Sequence, residues 1–234
     1  MPSTMTDDGN ISEDRLAEDS LAEDSLAEDR AKLALSLRRS GVRDARVLAA
    51  MERVPREMFV PEGFRRHAYD DTALPIDLGQ TISQPLIVAM MTEALELHDR
   101  AKVLEVGTGS GYQAMVLSLL CRRVYTVERI RDLLKQAEER FRALDRHNIT
   151  TRHGDGYKGW PEQAPFECIM VTAAAPEIPQ ALIDQLAPGG RLVIPVGMDP
   201  VSQRLVKLVK HEDGTITTSE LAGVRFVPLL EGTQ

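Results

Sequence analysis

Three glycines spaced two apart, Gly107, Gly109 and Gly111, follow the apolar run Lys102-Val-Leu-Glu-Val106 and precede Met115, Val116, Leu119 and Leu120, which recur at helical spacing. A short run that is β-branched and apolar reads as a buried parallel strand. The glycines, with Thr108 and Ser110 between them, then occupy a tight strand-to-helix turn where a ligand can approach bare backbone. That corner suits a nucleotide, and spacing decides which. The dinucleotide fingerprint is G-x-G-x-x-G, whereas this loop reads G-x-G-x-G, and no Lys-Ser or Lys-Thr follows to make a Walker phosphate loop. Glu105 stands two residues before the first glycine, and Glu128 ends the next apolar strand, Arg123–Glu128, where a carboxylate can take both hydroxyls of a ribose. S-adenosylmethionine has a ribose and an adenine, no phosphate, and positive charge on its sulfonium and ammonium, so acidic walls suit it better than a basic cradle. The plainer alternative is a glycine turn that packs a helix on a strand.

The elements that must hold this corner follow from periodicity. Strands are expected at 102–106, 123–128, 149–153, 167–172 and 190–196, with helices at 111–121, 130–145 and 178–186 between them; in the second helix Ile130, Leu133, Leu134, Ala137, Phe141 and Leu144 share a face. Strands separated by helices predict an α/β fold: a doubly wound, mainly parallel sheet with helices on both faces, whose ligand lies beyond the carboxyl ends of the strands. The last two runs, Val201–Lys210 and Thr215–Val227, are joined by Glu212-Asp-Gly214 and predict an antiparallel hairpin on one edge, for seven strands in all. Several loops converge on the same rim: the glycine corner, Glu128, the turn His153-Gly-Asp-Gly156 and the segment Thr172–Pro176. Asp155 is placed to accept from an adenine amino group, with Gly156 leaving room for the ring, although Asp-Gly is also an ordinary turn. Upstream, two helices are expected over 31–53, with Gly41 stopping the first and Asp44 capping the second. Pro85 suits the first position of a helix running to about Leu97, and the local reading of Ser83 or Gln84 is a cap for that helix.

Charge divides the chain unevenly. Of 36 acidic residues ten fall in residues 1–30, against two of the 28 basic ones, so the remaining 204 residues carry 26 of each and the net −8 belongs to the tail. A neutral body has no nucleic-acid footprint. The tail repeats Leu-Ala-Glu-Asp from Leu16, Leu21 and Leu26; a step of five residues advances about 140° on an α-helix, so the leucines spiral and cannot bury one face. Residues 1–30 are expected to be disordered or marginally helical, and 31–234 to form one domain, with 31–100 as a helical cover and substrate loop and 101–234 as the cofactor-binding sheet. No secretory signal or transit peptide is legible, and the longest apolar run, Leu86–Met91, is too short to span a bilayer. The two cysteines, Cys121 and Cys168, sit in apolar settings and fit a reducing, cytoplasmic chain. The five histidines lack ligand spacing, and no metal site is expected.

With these pieces assembled the sequence resembles the class I S-adenosylmethionine-dependent methyltransferases, and within them the protein-L-isoaspartate O-methyltransferase family. The resemblance rests on Gly79-Gln-Thr-Ile-Ser-Gln-Pro85, Leu104–Tyr112, Val127-Glu-Arg129, His153-Gly-Asp-Gly156, Pro165-Phe166 with Val171–Pro176, and Pro188–Gly197 with Val224–Leu229, in order over roughly residues 31–232. The first of these is the specific one. The resemblance implies methyl transfer to the free α-carboxylate of L-isoaspartyl residues in damaged proteins and peptides, the ester then collapsing to a succinimide. It implies that Ser83 lines the active site, which displaces the local reading of a cap, and that the last two strands of the sheet exchange places relative to most class I enzymes. Ile82 from the same motif, Thr172 on the rim and Arg225 from the Val-Arg-Phe-Val-Pro stretch are further candidates for the substrate side. The acceptor carboxylate has a pKa near 3.5 and needs no general base, so the work is positioning, for which the Ser83 hydroxyl is suited as a donor. A monomer is expected, without membrane or nucleic-acid partners. Two rival readings remain open: a methyltransferase with another acceptor, and a module that binds the cofactor without catalysis. After the fourth strand the sequence reads Thr172-Ala-Ala-Ala-Pro176, with nothing to hold an amino group, which disfavours a nucleic-acid amino methyltransferase.

Overall fold

A computed structural model of the chain describes residues 10–234, with side chains of the first helix from Ser25 onward. Helix α1 (Asn10–Arg39) crosses the expected boundary at residue 30 without a break, and Leu33 and Leu37 near its end are buried in the core. The part of the acidic tail at residues 1–9 lies outside the described residues. Gly41, at φ +112°, ends the helix, and Asp44 caps α2 (Ala45–Arg53) by accepting from the N–H groups of Arg46 and Val47. A short ladder, β1 (Leu74–Pro75) against β2 (Thr81–Ile82), then leads into α3 (Pro85–Ala94), with Pro85 in its first turn.

The sheet contains β3 (Lys102–Val106), β4 (Arg123–Glu128), β5 (Ile149–His153), β6 (Phe166–Val171), β7 (Leu186–Val196), β8 (Arg204–Lys210) and β9 (Ile216–Gly223), in the order β5-β4-β3-β6-β7-β8-β9. Strands β3 to β7 are parallel, and the β7–β8 and β8–β9 pairs are antiparallel. This is the doubly wound, mainly parallel seven-stranded sheet with an antiparallel edge that the pattern of elements predicts. The last two strands lie in chain order, with β9 outermost.

The two faces are covered differently. Val103, Val124, Cys168 and Met170 face a layer built from α1 to α3, α4 (Tyr112–Ser118) and α5 (Arg131–Ala143). Leu104, Val106, Val127 and Ile169 face the other layer, which has one short helix, α6 (Gln180–Gln185), and is completed by Tyr157 and Trp160 from short turns. On α5, Leu133, Leu134, Ala137 and Phe141 are buried, the face that the 3.6-residue period predicts.

Element ends depart from expectation where long-range pairing overrides local pattern. Strand β7 begins at Leu186, not 190, because Leu186 pairs with Phe166; the register then jumps to Cys168 opposite Arg191, absorbing Pro188-Gly-Gly190 as a bulge. Strand β9 stops at Gly223 instead of reaching Val227. The buried Gln203 side chain takes over there: its amide accepts from the Phe226 N–H and donates to the Phe226 carbonyl, which removes Phe226 from the ladder. The chain then swings across to run beside Ala174, which bridges to Pro228.

Candidate active site

At the carboxyl ends of β3, β4 and β6 lies a cavity walled by the glycine corner, the Gly79–Ser83 segment, the residues just after β4, and the segment Val227–Leu230. The corner is built by close approach. Gly107 has φ +97°, and a Cβ there would stand 2.4 Å from the Thr172 hydroxyl oxygen. That hydroxyl donates to the Gly107 carbonyl at 2.7 Å, tying the end of β6 to the corner. Thr172 does line the cavity, but its proton is committed to the backbone.

Glu128 is held in place before any ligand arrives. One carboxylate oxygen accepts from the Gly109 N–H and the other from the Ile130 N–H, both at 2.9 Å. A carboxylate offers about four acceptor positions, so two backbone donors orient it and leave capacity toward the cavity that it lines. Thr108, Gly109 and Ser110 line the cavity beside it, with the Ser110 hydroxyl accepting from the Tyr112 N–H.

Glu105 does not reach this wall. Side chains alternate along a strand, and Val106 takes the cavity side, so Glu105 points into the opposite layer with no solvent exposure. One of its oxygens accepts from Thr126 at 2.5 Å, Thr126 is bonded in turn to Thr108, and the other oxygen has no partner among the described residues. Burial pushes this carboxyl up to about 8. The expected acidic wall beside the sulfonium is therefore corrected: Glu105 is a largely neutral prop beneath the corner.

Three other sequence candidates also stand off the cavity. Gly111 does not line it; at φ +91° a Cβ would come within 2.9 Å of the Phe141 ring, so this glycine serves the packing of α4 on α5. Asp155 does not line the cavity either; it accepts from the Tyr157 N–H at 2.9 Å and the Gly232 N–H at 3.0 Å, and its neighbour Gly156 is on the wall against Val106 and Leu229. Arg225 is exposed, beyond the end of β9, and makes no ion pair among the described residues.

Ser83 and Ile82 are both on the cavity wall. Ser83 does not cap α3. Asp71 does, accepting from the Leu86 N–H at 2.8 Å and from the Gln84 side chain at 3.0 Å, and the Ser83 hydroxyl makes no hydrogen bond among the described residues. Sequence reasoning missed Ile130 and Leu133, which wall the cavity beside Glu128, and Leu229 and Leu230, which wall it from the C-terminal segment. The signal for Ile130 was present in its position two residues after Glu128. None existed for Leu229, whose N–H bonds to the Ala174 carbonyl more than 50 residues away in sequence.

The arrangement can hold a diol at Glu128 and a flat ring against Ile130 and Leu133, and the Ser83 hydroxyl, which makes no hydrogen bond among the described residues, can serve an acceptor at the mouth. Comparison with known proteins identifies the family. Residues 28–234 match the family model of Protein-L-isoaspartate(D-aspartate) O-methyltransferase (PCMT). The protein-L-isoaspartate O-methyltransferase of Parvibaculum lavamentivorans is 59% identical over 203 residues, 86% of this chain and 91% of that protein. Its namesake in Paramagnetospirillum magneticum is 58% identical over 202 residues, covering 86% and 94%. Among solved structures, a Plasmodium falciparum protein described as a protein-L-isoaspartate O-methyltransferase, in complex with S-adenosyl-L-homocysteine, superposes with a TM-score of 0.73 at 28% identity, covering 85% of this chain and 97% of that one.

Proposed function

The chain belongs to the protein-L-isoaspartate(D-aspartate) O-methyltransferase family, and from that premise we propose how its own residues carry the reaction. It is an S-adenosylmethionine-dependent carboxyl O-methyltransferase that methylates L-isoaspartyl residues of damaged proteins and peptides. When bound, S-adenosylmethionine supplies a methyl group on a sulfonium centre. The donor set fits it: Glu128, oriented by two N–H groups, is an acceptor for the ribose hydroxyls, and Ile130 and Leu133 give the adenine an apolar wall. Gly107, Thr108, Gly109 and Ser110 form the floor, and Gly156 the far side.

The acceptor is a carboxylate that is already an anion at neutral pH, so no side chain has to remove a proton. Ser83 donates its hydroxyl hydrogen to one carboxylate oxygen and so aims the other at the methyl carbon. No bond to Ser83 forms. Ile82, buried beside it, and Thr172, which fixes the corner, shape the same mouth. The observation that carries this reading is that Ser83 and Glu128 line one cavity while the capping duty at α3 belongs to Asp71.

The test is methyl transfer from labelled cofactor to an isoaspartyl peptide, with the aspartyl isomer as control. Ser83→Ala should lower kcat roughly 10- to 100-fold, the range expected for lost orientation, with cofactor affinity nearly intact. Equal loss of both would refute the aiming role. Residues 31–234 are read as the catalytic unit, in keeping with a family match that begins at residue 28. We further read the enzyme as a cytoplasmic monomer without nucleic-acid partners, on the evenly balanced charge of residues 31–234 and the free, buried Cys121 and Cys168. Among the described residues no helix is long and apolar enough to cross a membrane.

A further inference from the structure

Arg56 is the largest charged side chain in the core and has no solvent exposure. Burying a guanidinium is costly unless it is paired, yet no carboxylate pairs with it among the described residues. The adjacent acid, Glu57, is turned to Arg30 at 2.7 Å and to the Tyr69 hydroxyl. Arg56 instead donates through Nε to the Ala68 carbonyl and through Nη2 to the Ser83 carbonyl, each at 2.8 Å, and Nη1 is buried with no partner. Its guanidinium lies 4.6 Å from the centre of the Tyr112 ring, which opens α4 directly after the glycine corner. From the solvent side, exposed Asp71 grips the same segment one and three residues on, at the Gln84 side chain and the Leu86 N–H.

A cation at Ser83 and an anion at Gln84 and Leu86 thus hold one short stretch from opposite sides, and the cation also rests on the cofactor corner. We propose that Arg56 and Asp71 are positioning residues that clamp the Ser83–Leu86 segment, so that the Ser83 hydroxyl is held at a fixed distance from the corner where the methyl donor sits. The inference rests on the role given to Ser83 above. It explains why an arginine is kept in the core where an aliphatic residue would pack at less cost: only a planar donor fork can reach two carbonyls on separate segments and still stack on a ring.

The experiment is a double-mutant cycle on isoaspartyl peptide methylation, with cofactor titration and thermal unfolding run alongside. Asp71→Ala and Arg56→Lys should each lower kcat by roughly 10-fold or more, change the peptide KM less than kcat, and leave cofactor affinity within about twofold. In a Ser83→Ala background the same substitutions should cost less than about twofold, because the hydroxyl they position is gone. Losses of equal factor with and without that hydroxyl, or unchanged kcat in Asp71→Ala, would overturn the clamp while leaving the role of Ser83 standing. Full turnover in Ser83→Ala alone would overturn both, so the two failures are distinguishable. Should Arg56→Lys not fold, Asp71→Ala, at an exposed position, still decides.

Discussion

Glu105, one residue short of the end of β3, and Glu128, which ends β4, are both buried, and only Glu128 lines the cavity. Two backbone N–H groups orient Glu128, so Glu128→Gln should weaken S-adenosylmethionine binding by about 1.5–3 kcal/mol, the cost of a hydrogen bond to a charged group. The same titration of Glu105→Gln should show little change. Glu105 should register in stability instead. Its folded pKa, about 8, lies above its unfolded value, so between about pH 4.5 and 8 the folded chain holds a proton that the unfolded chain has released. Stability from this group is therefore complete below about pH 4.5 and is lost as pH rises through 8. Glutamine cannot ionise, so the Tm of Glu105→Gln relative to the parent should climb between about pH 5 and 8.5, at roughly 2–4 °C per kcal/mol recovered. A pH-independent difference in Tm would show that the carboxyl is not held neutral.

Between elements, the tightest constraint is where α4 leaves the corner. Gly111 combines φ +91° with an approach that would place a Cβ 2.8 Å from one Phe141 ring carbon and 3.1 Å from the Ala137 Cβ. Alanine there would have to keep the left-handed conformation and also push the Phe141 ring of α5 away. Gly111→Ala should destabilise the fold by about 2–4 kcal/mol, seen as a lower denaturation midpoint. Because this glycine does not line the cavity, cofactor affinity under native conditions should change far less than stability. The reverse pattern would return Gly111 to the binding site. The corner thus contains glycines of two kinds, those that line the cavity and one that a helix approaches, and the spacing G-x-G-x-G does not separate them.

At the scale of the molecule, net charge is unevenly placed along the chain. The net −8 sits in residues 1–30, and among the described side chains of α1 Arg30, Leu33 and Leu37 contact the body. A chain starting at Ser25 keeps Arg30 on Glu57 and Tyr69 and should methylate an isoaspartyl peptide with kcat/KM within about twofold of the full chain, since screening limits exposed charges to about one Debye length, roughly 10 Å at 0.1 M salt. A tenfold change would show that the acidic stretch takes part in substrate capture.

The sequence by itself predicted the alternation of strands and helices and the glycine corner, written in local periods of two and 3.6, and placed Glu128 at a strand end; Ser83, which local spacing reads as a cap, came forward only through the resemblance of its Thr-Ile-Ser motif to the family. Tertiary structure alone decided that Glu105 turns away from the cavity, that Asp155 bonds the Gly232 N–H off the cavity wall, and that Gln203 peels Phe226 off the sheet while Leu229 and Leu230 line the cavity. It also decided that Arg56 and Asp71 hold the serine segment. Each of these depends on a partner that chain folding brings in from a distant part of the sequence. A side chain's hydrogen-bonding capacity is small, so which partner reaches it first in space fixes its role, and local spacing carries no record of that encounter.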